Sequence, residues 1–192
     1  DLLEWGAEVV PFSPLMDQTL PERIDALYIG GGFPELYAAE LSANAGMRAG
    51  VLACVQRGMP VLGACGGLMY LCESIVDLEG VRHAMVGAVP GNCTMERRRV
   101  GLGYLTLTPR TDTLVLPRGD TVRAHEFHWS RLEGEVTADQ AAFEVEEYPG
   151  RLEGFAQGNL LASYAHFHFG ARPELAPRFI AAARQWAGQH AI

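Results

Sequence analysis

Pro60-Val61-Leu62-Gly63-Ala64-Cys65-Gly66-Gly67-Leu68-Met69-Tyr70-Leu71 is the stretch on which the fold turns. Val61-Leu62 reads as a short buried strand, and an apolar, helix-compatible run follows from Leu68. Between them, Gly63-x-Cys65-x-Gly67 has the G-x-S-x-G spacing of a nucleophile elbow, with sulfur in place of oxygen. Such a strand-to-helix turn strains its central residue and needs small neighbours where strand and helix approach. It would hold the Cys65 sulfur at the carboxyl end of a strand, near a helix N-terminus whose dipole favours thiolate. The competing reading is a buried cysteine in a glycine-rich turn.

The surrounding chain suits such a site. Its 192 residues, 48% hydrophobic and 20% charged, describe one ordinary globular domain with a real core. No apolar run approaches the roughly 20 residues of a membrane span. The start, Asp1-Leu2-Leu3-Glu4-Trp5, has no initiator Met and no signal-peptide pattern, and reads as partway through an amphipathic segment. A formal net charge of −8 argues against nucleic-acid partners. All 15 basic residues are Arg, which removes Schiff-base chemistry and a phosphate-loop lysine. The four cysteines, Cys54, Cys65, Cys72 and Cys93, fit neither C-x-x-C nor a disulfide framework, so a cytoplasmic location is expected. Cys54 and Cys72 fall in helix-like runs and read as small core residues.

Along the chain, Ala7 to Phe12 reads as a strand, and Asp25 to Ile29 as a second one running into Gly30-Gly31-Gly32. A helix is expected from Pro34, since proline suits a first turn and Glu35 its positive end. Asn44 to Arg57 has helical spacing, with Met47, Val51, Leu52, Cys54 and Val55 as its apolar stripe and Gly58 as its stop. Strand and helix therefore alternate in this half, which predicts a parallel, doubly wound sheet with ligands beyond the strands' carboxyl ends. After Gly80 the texture changes. Ala84–Met95, Gly103–Thr108, Val122–Trp129, Ala142–Glu146, Leu152–Ala156 and Leu160–Tyr164 are β-like, without helices between them, and predict antiparallel pairing. Pro173 to His190 closes as a helix with Leu175, Phe179, Ala182, Ala183 and Trp186 on its apolar face.

A cysteine nucleophile needs a base, which can lie far away in sequence. The candidates are His83, His125, His128, His166, His168 and His190. His83, in an expected loop, and His190, in the C-terminal tail, read as surface residues. His166 and His168 follow a strand and share a face by alternation, as a base and its neighbour or as simple packing. With His125 and His128 they could also hold a metal, although spacing alone defines no closed zinc set. Glu126 fits an arginine or a substrate amide. Gly30-Gly31-Gly32 reads as an oxyanion hole beside Cys65, as a phosphate loop without its usual signature, or as a plain turn.

Five segments stand in a familiar order: Gly30-Gly31-Gly32-Phe33-Pro34-Glu35-Leu36-Tyr37, Ala64 to Leu71, Gly101-Leu102-Gly103-Tyr104, His125 to Ser130, and Ser163 to His168. They resemble the C-terminal glutamine amidotransferase domain of cobyrinic acid a,c-diamide synthases over nearly the whole chain. The elbow is common to class I amidotransferases, while the two His-rich segments point to the cobyrinate and cobyric acid branch. The resemblance implies an α/β, flavodoxin-like fold, with a mostly parallel sheet flanked by helices and an antiparallel β extension in the second half. It implies that residues 1–192 form one such domain, with its first strand and an ATP-binding synthetase domain upstream of Asp1.

By the same resemblance, Cys65 is the nucleophile and His166 its base. Gly31, Gly32 and Gly66 hold the oxyanion and substrate, and His168, Glu126 and His128 are supporting residues. Glutamine is the substrate, and ammonia passes to a corrin substrate, cobyrinate, on the synthetase domain. No cofactor or metal is expected on this chain; ATP and Mg2+ belong to the synthetase domain. Neither nucleic acid nor membrane is an expected partner, and a homodimer is a candidate assembly. Two departures stand out: Ala64 where the family usually has glutamate before the nucleophile, and His168 where many class I members carry a glutamate that orients the base. A weak isolated glutaminase is therefore expected. The alternatives are the amidotransferase domain of a cobyric acid synthase, a non-catalytic docking module of the same fold, and another thiol hydrolase.

Overall fold

The apolar pair before the elbow forms β2 (Val61–Ala64), which is buried along its whole length. The computed structural model describes residues 2–134, 136–170 and 172–190. β2 lies between β1 (Leu27–Ile29) and β11 (Leu160–Ser163), parallel to both. The other strands are β3 (Cys72–Val76), β4 (Arg82–Ala84), β5 (Val89–Met95), β6 (Gly101–Pro109), β7 (Val122–His128), β8 (Ser130–Glu133), β9 (Ala141–Val145) and β10 (Leu152–Gln157). One sheet of seven strands runs β1-β2-β11-β10-β9-β6-β7; a second of four runs β4-β3-β5-β8. From β11 to β7 every neighbour in the large sheet is antiparallel. The predicted parallel half and antiparallel extension are thus parts of one mixed sheet.

Residues alternate across β2. After a short α1 (Ala38–Ala43), Val61 packs with α2 (Ala45–Gln56) and α3 (Gly66–Leu71) through Met47, Val51, Leu68 and Leu71. Leu62 faces the other way, into a core with Leu161, Phe143 and α4 (Leu175–His190) through Leu175 and Phe179. Helices on both faces are what allow β2 and β11 to be apolar without alternation. α2 begins where Asn44 accepts a hydrogen bond from the Met47 N–H at 3.3 Å and ends before Gly58, whose φ of +80° suits the residue just past a helix.

Three expectations are corrected. Residues 7–12 form no strand: Val9 and Val10 are 55% and 47% exposed, and no described strand lies against them to complete a ladder. The helix after the elbow is only six residues, because Cys72 opens β3, whose Ile75 and Val76 pair with β4 and β5. Cys72 is accordingly a strand residue. His83, expected in a loop, lies in β4 and bonds Asp77 at 2.8 Å.

The antiparallel half curls. Its last strand, β7, returns to the segment after β11 and forms an isolated bridge between His125 and His166. That bridge joins residues 60 and 101 positions beyond Cys65, and His166 comes back to the elbow.

Candidate active site

Cys65 has φ +51° and ψ −105°, the strained turn the motif calls for, worth about 1–3 kcal/mol that the surrounding packing must offset. The flanking glycines are there for space. A β-carbon on Gly63 would lie 2.5 Å from Leu71 Cδ1, and one on Gly67 would overlap the Ile29 carbonyl oxygen. The elbow is also tied to β11, since the Cys65 N–H donates to the Ser163 carbonyl at 2.7 Å.

Gly31 marks where the pieces meet. A β-carbon there would sit 2.6 Å from His166 Cε1 and 3.7 Å from Cys65 Cβ. Cys65 and His166 therefore flank one point on the glycine loop, which leaves no room for a side chain between them. Gly66 lies against the Gly32 backbone, 2.9 Å from a Gly66 β-carbon to Gly32 N. The glycine loop thus lies against the elbow, Gly31 beside Cys65 Cβ and Gly32 beside Gly66. The loop also lines a cavity of about 440 Å³ together with Ile29, Phe33, Pro34 and Tyr70. Gly66 of the elbow lines it as well, while Cys65 and His166 do not.

The Cys65 thiol donates to the Phe127 carbonyl at 3.7 Å. Burial pushes its pKa up; the Gly66 N–H pulls it down, and the charges of Glu35, Cys93 and Glu153 raise it further. The helix dipole does not win, since α3 is short and desolvation is the larger effect. The resting sulfur is a thiol. His166 moves in the complementary direction: desolvation lowers its pKa, with His125 and His128 adding to the shift. Its imidazole is neutral near pH 7 and free to accept a proton.

The supporting residues separate. Alternation along β7 turns Glu126 and His128 inward. Glu126 spends both oxygens on Arg151, at 3.2 and 2.6 Å, and lies 3.6 Å from His128 Nε2. His128 stacks on Tyr164 with ring centres 3.9 Å apart, and its Nδ1 bonds the Ser130 carbonyl at 2.8 Å. Glu126 thus has the arginine partner expected of it, and His128 is buried against Tyr164. His168 is exposed and takes part in no hydrogen bond of the site among the described residues. Among those residues, no group of three or more His, Cys, Asp and Glu is placed to hold a metal ion. Arg151→Ala would leave the Glu126 carboxylate buried without its bidentate partner. The Arg151 side chain is 35% exposed, so water screens part of that loss, and a destabilisation of about 1–3 kcal/mol is expected in urea titration.

Sequence reasoning missed Glu153. It lies in β10, and its carboxylate is buried beneath Ser163 and Tyr164. The signal was present: in Leu152-Glu153-Gly154-Phe155, alternation puts Glu153 on the inward face with Phe155.

The model of the CobB/CobQ-like glutamine amidotransferase domain matches residues 1–174. A cobyrinate a,c-diamide synthase of Dehalococcoides mccartyi is 45% identical over 183 residues, which cover 93% of this chain and 40% of that protein. One of Salmonella typhimurium is 41% identical over 191 residues, 96% of this chain and 41% of that protein. The chain spans about two fifths of the length of these curated relatives. A solved glutamine amidotransferase structure shares the fold at a TM-score of 0.54 and 22% identity, over 87% of this chain and 81% of that one.

Proposed function

Because the chain belongs to the CobB/CobQ-like glutamine amidotransferase domain family, we propose that it hydrolyses glutamine at Cys65 and delivers the ammonia for amidation of the a and c carboxylates of cobyrinic acid. The observation that carries this reading is the meeting of Cys65, His166 and the Gly31 backbone at one point. The Cys65 thiol gives its proton to neutral His166, and the sulfur attacks the side-chain carbonyl carbon of glutamine. The oxygen takes the negative charge and is held by backbone N–H groups of Gly66 and of the Gly31–Gly32 loop, each such donor being worth about 2.7–4 kcal/mol in the barrier. The His166 imidazolium then protonates the nitrogen as the C–N bond breaks, and ammonia leaves. Water, losing its proton to His166, attacks the thioester; glutamate departs and the thiol is restored.

ATP would activate the corrin carboxylates. This chain has no lysine and no Walker pattern, so ATP, Mg2+ and the corrin would bind a synthetase portion rather than these residues. Free, buried Cys54, Cys65, Cys72 and Cys93 support a reducing, cytoplasmic setting. No described helix is long and apolar enough to cross a membrane. A second copy of the chain is a candidate partner.

The test is covalent labelling with a diazoketone analogue of glutamine, read by peptide mass, alongside the pH dependence of kcat/KM. Cys65 should be the labelled residue. Because the depressed pKa of His166 keeps the base unprotonated, kcat/KM should hold level from pH 8 down to about the ordinary histidine value of 6.5 and fall only below it. An unlabelled Cys65 in active protein would remove the mechanism, and an unlabelled, inactive protein would favour a docking module.

A further inference from the structure

Among the described residues, no carboxylate is hydrogen-bonded to the His166 imidazole, and the position two residues on is His168, which is exposed. Something else must hold the base in place. β11 ends at Ser163, and the three residues that lead to His166 leave the ladder with β10, whose last pair on that side is Phe155 with Ala162. Their backbone needs other partners.

Glu153 supplies them. One of its oxygens accepts from the Ser163 hydroxyl at 2.6 Å and the other from the Tyr164 N–H at 2.8 Å. The same Ser163 hydroxyl accepts from the Ala165 N–H at 2.9 Å. Three consecutive residues are therefore fastened to one carboxylate, directly or through a single hydroxyl. Gly154 makes this reach possible: its φ is +70°, and a β-carbon on it would lie 2.8 Å from the Ala162 carbonyl oxygen. On the far side of the segment, the His166 N–H donates to the His125 carbonyl at 2.8 Å. Ser163 is also the residue whose carbonyl receives the Cys65 N–H. The clamp thus acts on a residue bonded both to the nucleophile and, through its hydroxyl, to the base's turn.

We propose that Glu153 positions His166 for proton transfer with Cys65, working through Ser163 and the backbone of residues 163–165 rather than by touching the imidazole. A carboxylate is an expensive choice at a site 6% exposed, where an apolar side chain would pack without desolvating a charge. The cost is understandable if the two acceptors define where the turn points. A displacement of about 1 Å in a reacting group can lower a rate about 100-fold. Glu153 is accordingly a positioning residue and not a catalytic one.

This inference rests on the reading of Cys65 and His166 as nucleophile and base. In the intact protein, Glu153→Ala should lower kcat for glutamine hydrolysis by about 10–100-fold with KM within about threefold of its starting value. Glu153→Gln, which keeps an acceptor for the Tyr164 N–H and a polar partner for Ser163, should recover most of that loss. Ser163→Ala, which keeps the backbone bond to Cys65 but cuts the relay to Ala165, should show a kcat defect of the same kind. The double variant should be no slower than Glu153→Ala, as expected for residues acting in one network. Should Glu153→Ala not fold, Ser163→Ala decides. An unchanged kcat in the folded variants, or a glutamine variant as slow as the alanine one, overturns the proposal. If the unaltered protein neither turns over glutamine nor takes the diazoketone label, the amidotransferase reading fails first and this inference with it.

Discussion

Cys65→Ser should reduce glutamine hydrolysis by at least about 1,000-fold and abolish diazoketone labelling, while leaving the fold intact. Serine fits the volume and accepts the same hydrogen-bond geometry, so the strained backbone at φ +51° meets no new clash. What it lacks is acidity. A thiol ordinarily ionises near pH 8.5 and attacks readily even when burial shifts it upward, whereas a hydroxyl needs a strongly oriented base. Among the described residues no carboxylate bonds the base, so the hydroxyl has little help. Steady-state ammonia release and thermal melting of both proteins settle the matter. Equal turnover in the serine variant would mean that Cys65 is not the nucleophile.

Gly67→Ala should destabilise the protein by about 3–5 kcal/mol. Two effects compete. Gly67 lies in α3, where alanine is the better helix former by about 1 kcal/mol. Against that, the added carbon would collide with the Ile29 carbonyl oxygen at the end of β1, which is backbone and cannot swing away. Relief requires separating α3 from β1, and these carry the elbow and the glycine loop respectively. The collision therefore outweighs the propensity, and the same displacement opens the site. Urea denaturation should show a lower midpoint, and any folded fraction should hydrolyse glutamine poorly. A variant as stable as the original would show that the elbow tolerates a looser contact between α3 and β1 than the geometry indicates.

The corrected expectations share one cause. Ala7 to Phe12 carries the apolar, β-branched composition of a strand, yet β structure exists only where a neighbour supplies the other half of each hydrogen bond. Cys72 could extend a helix on local grounds, but β4 and β5 compete for Ile75 and Val76 and draw the segment into a sheet. Helical segments such as α2 were legible because their bonds close within four residues and their caps, Asn44 and Gly58, lie beside them in sequence. An arginine partner for Glu126 was legible from the residue type; that the arginine is Arg151, and that His128 stacks on Tyr164, depends on pleating that turns both side chains inward.

Local chemistry was written in the chain itself: a cysteine at a glycine-flanked turn, a glycine loop after a strand, and helices with their stops. These depend on backbone sterics over a few residues, so order along the chain suffices to read them. Spacing left six histidines open and the family resemblance singled out His166; what brings it to the elbow, and which carboxylate holds its turn, depends on β7 meeting the segment after β11 and on β10 lying beside β11. Pairing between distant strands is selected by the packing of the whole core, so no short stretch encodes it.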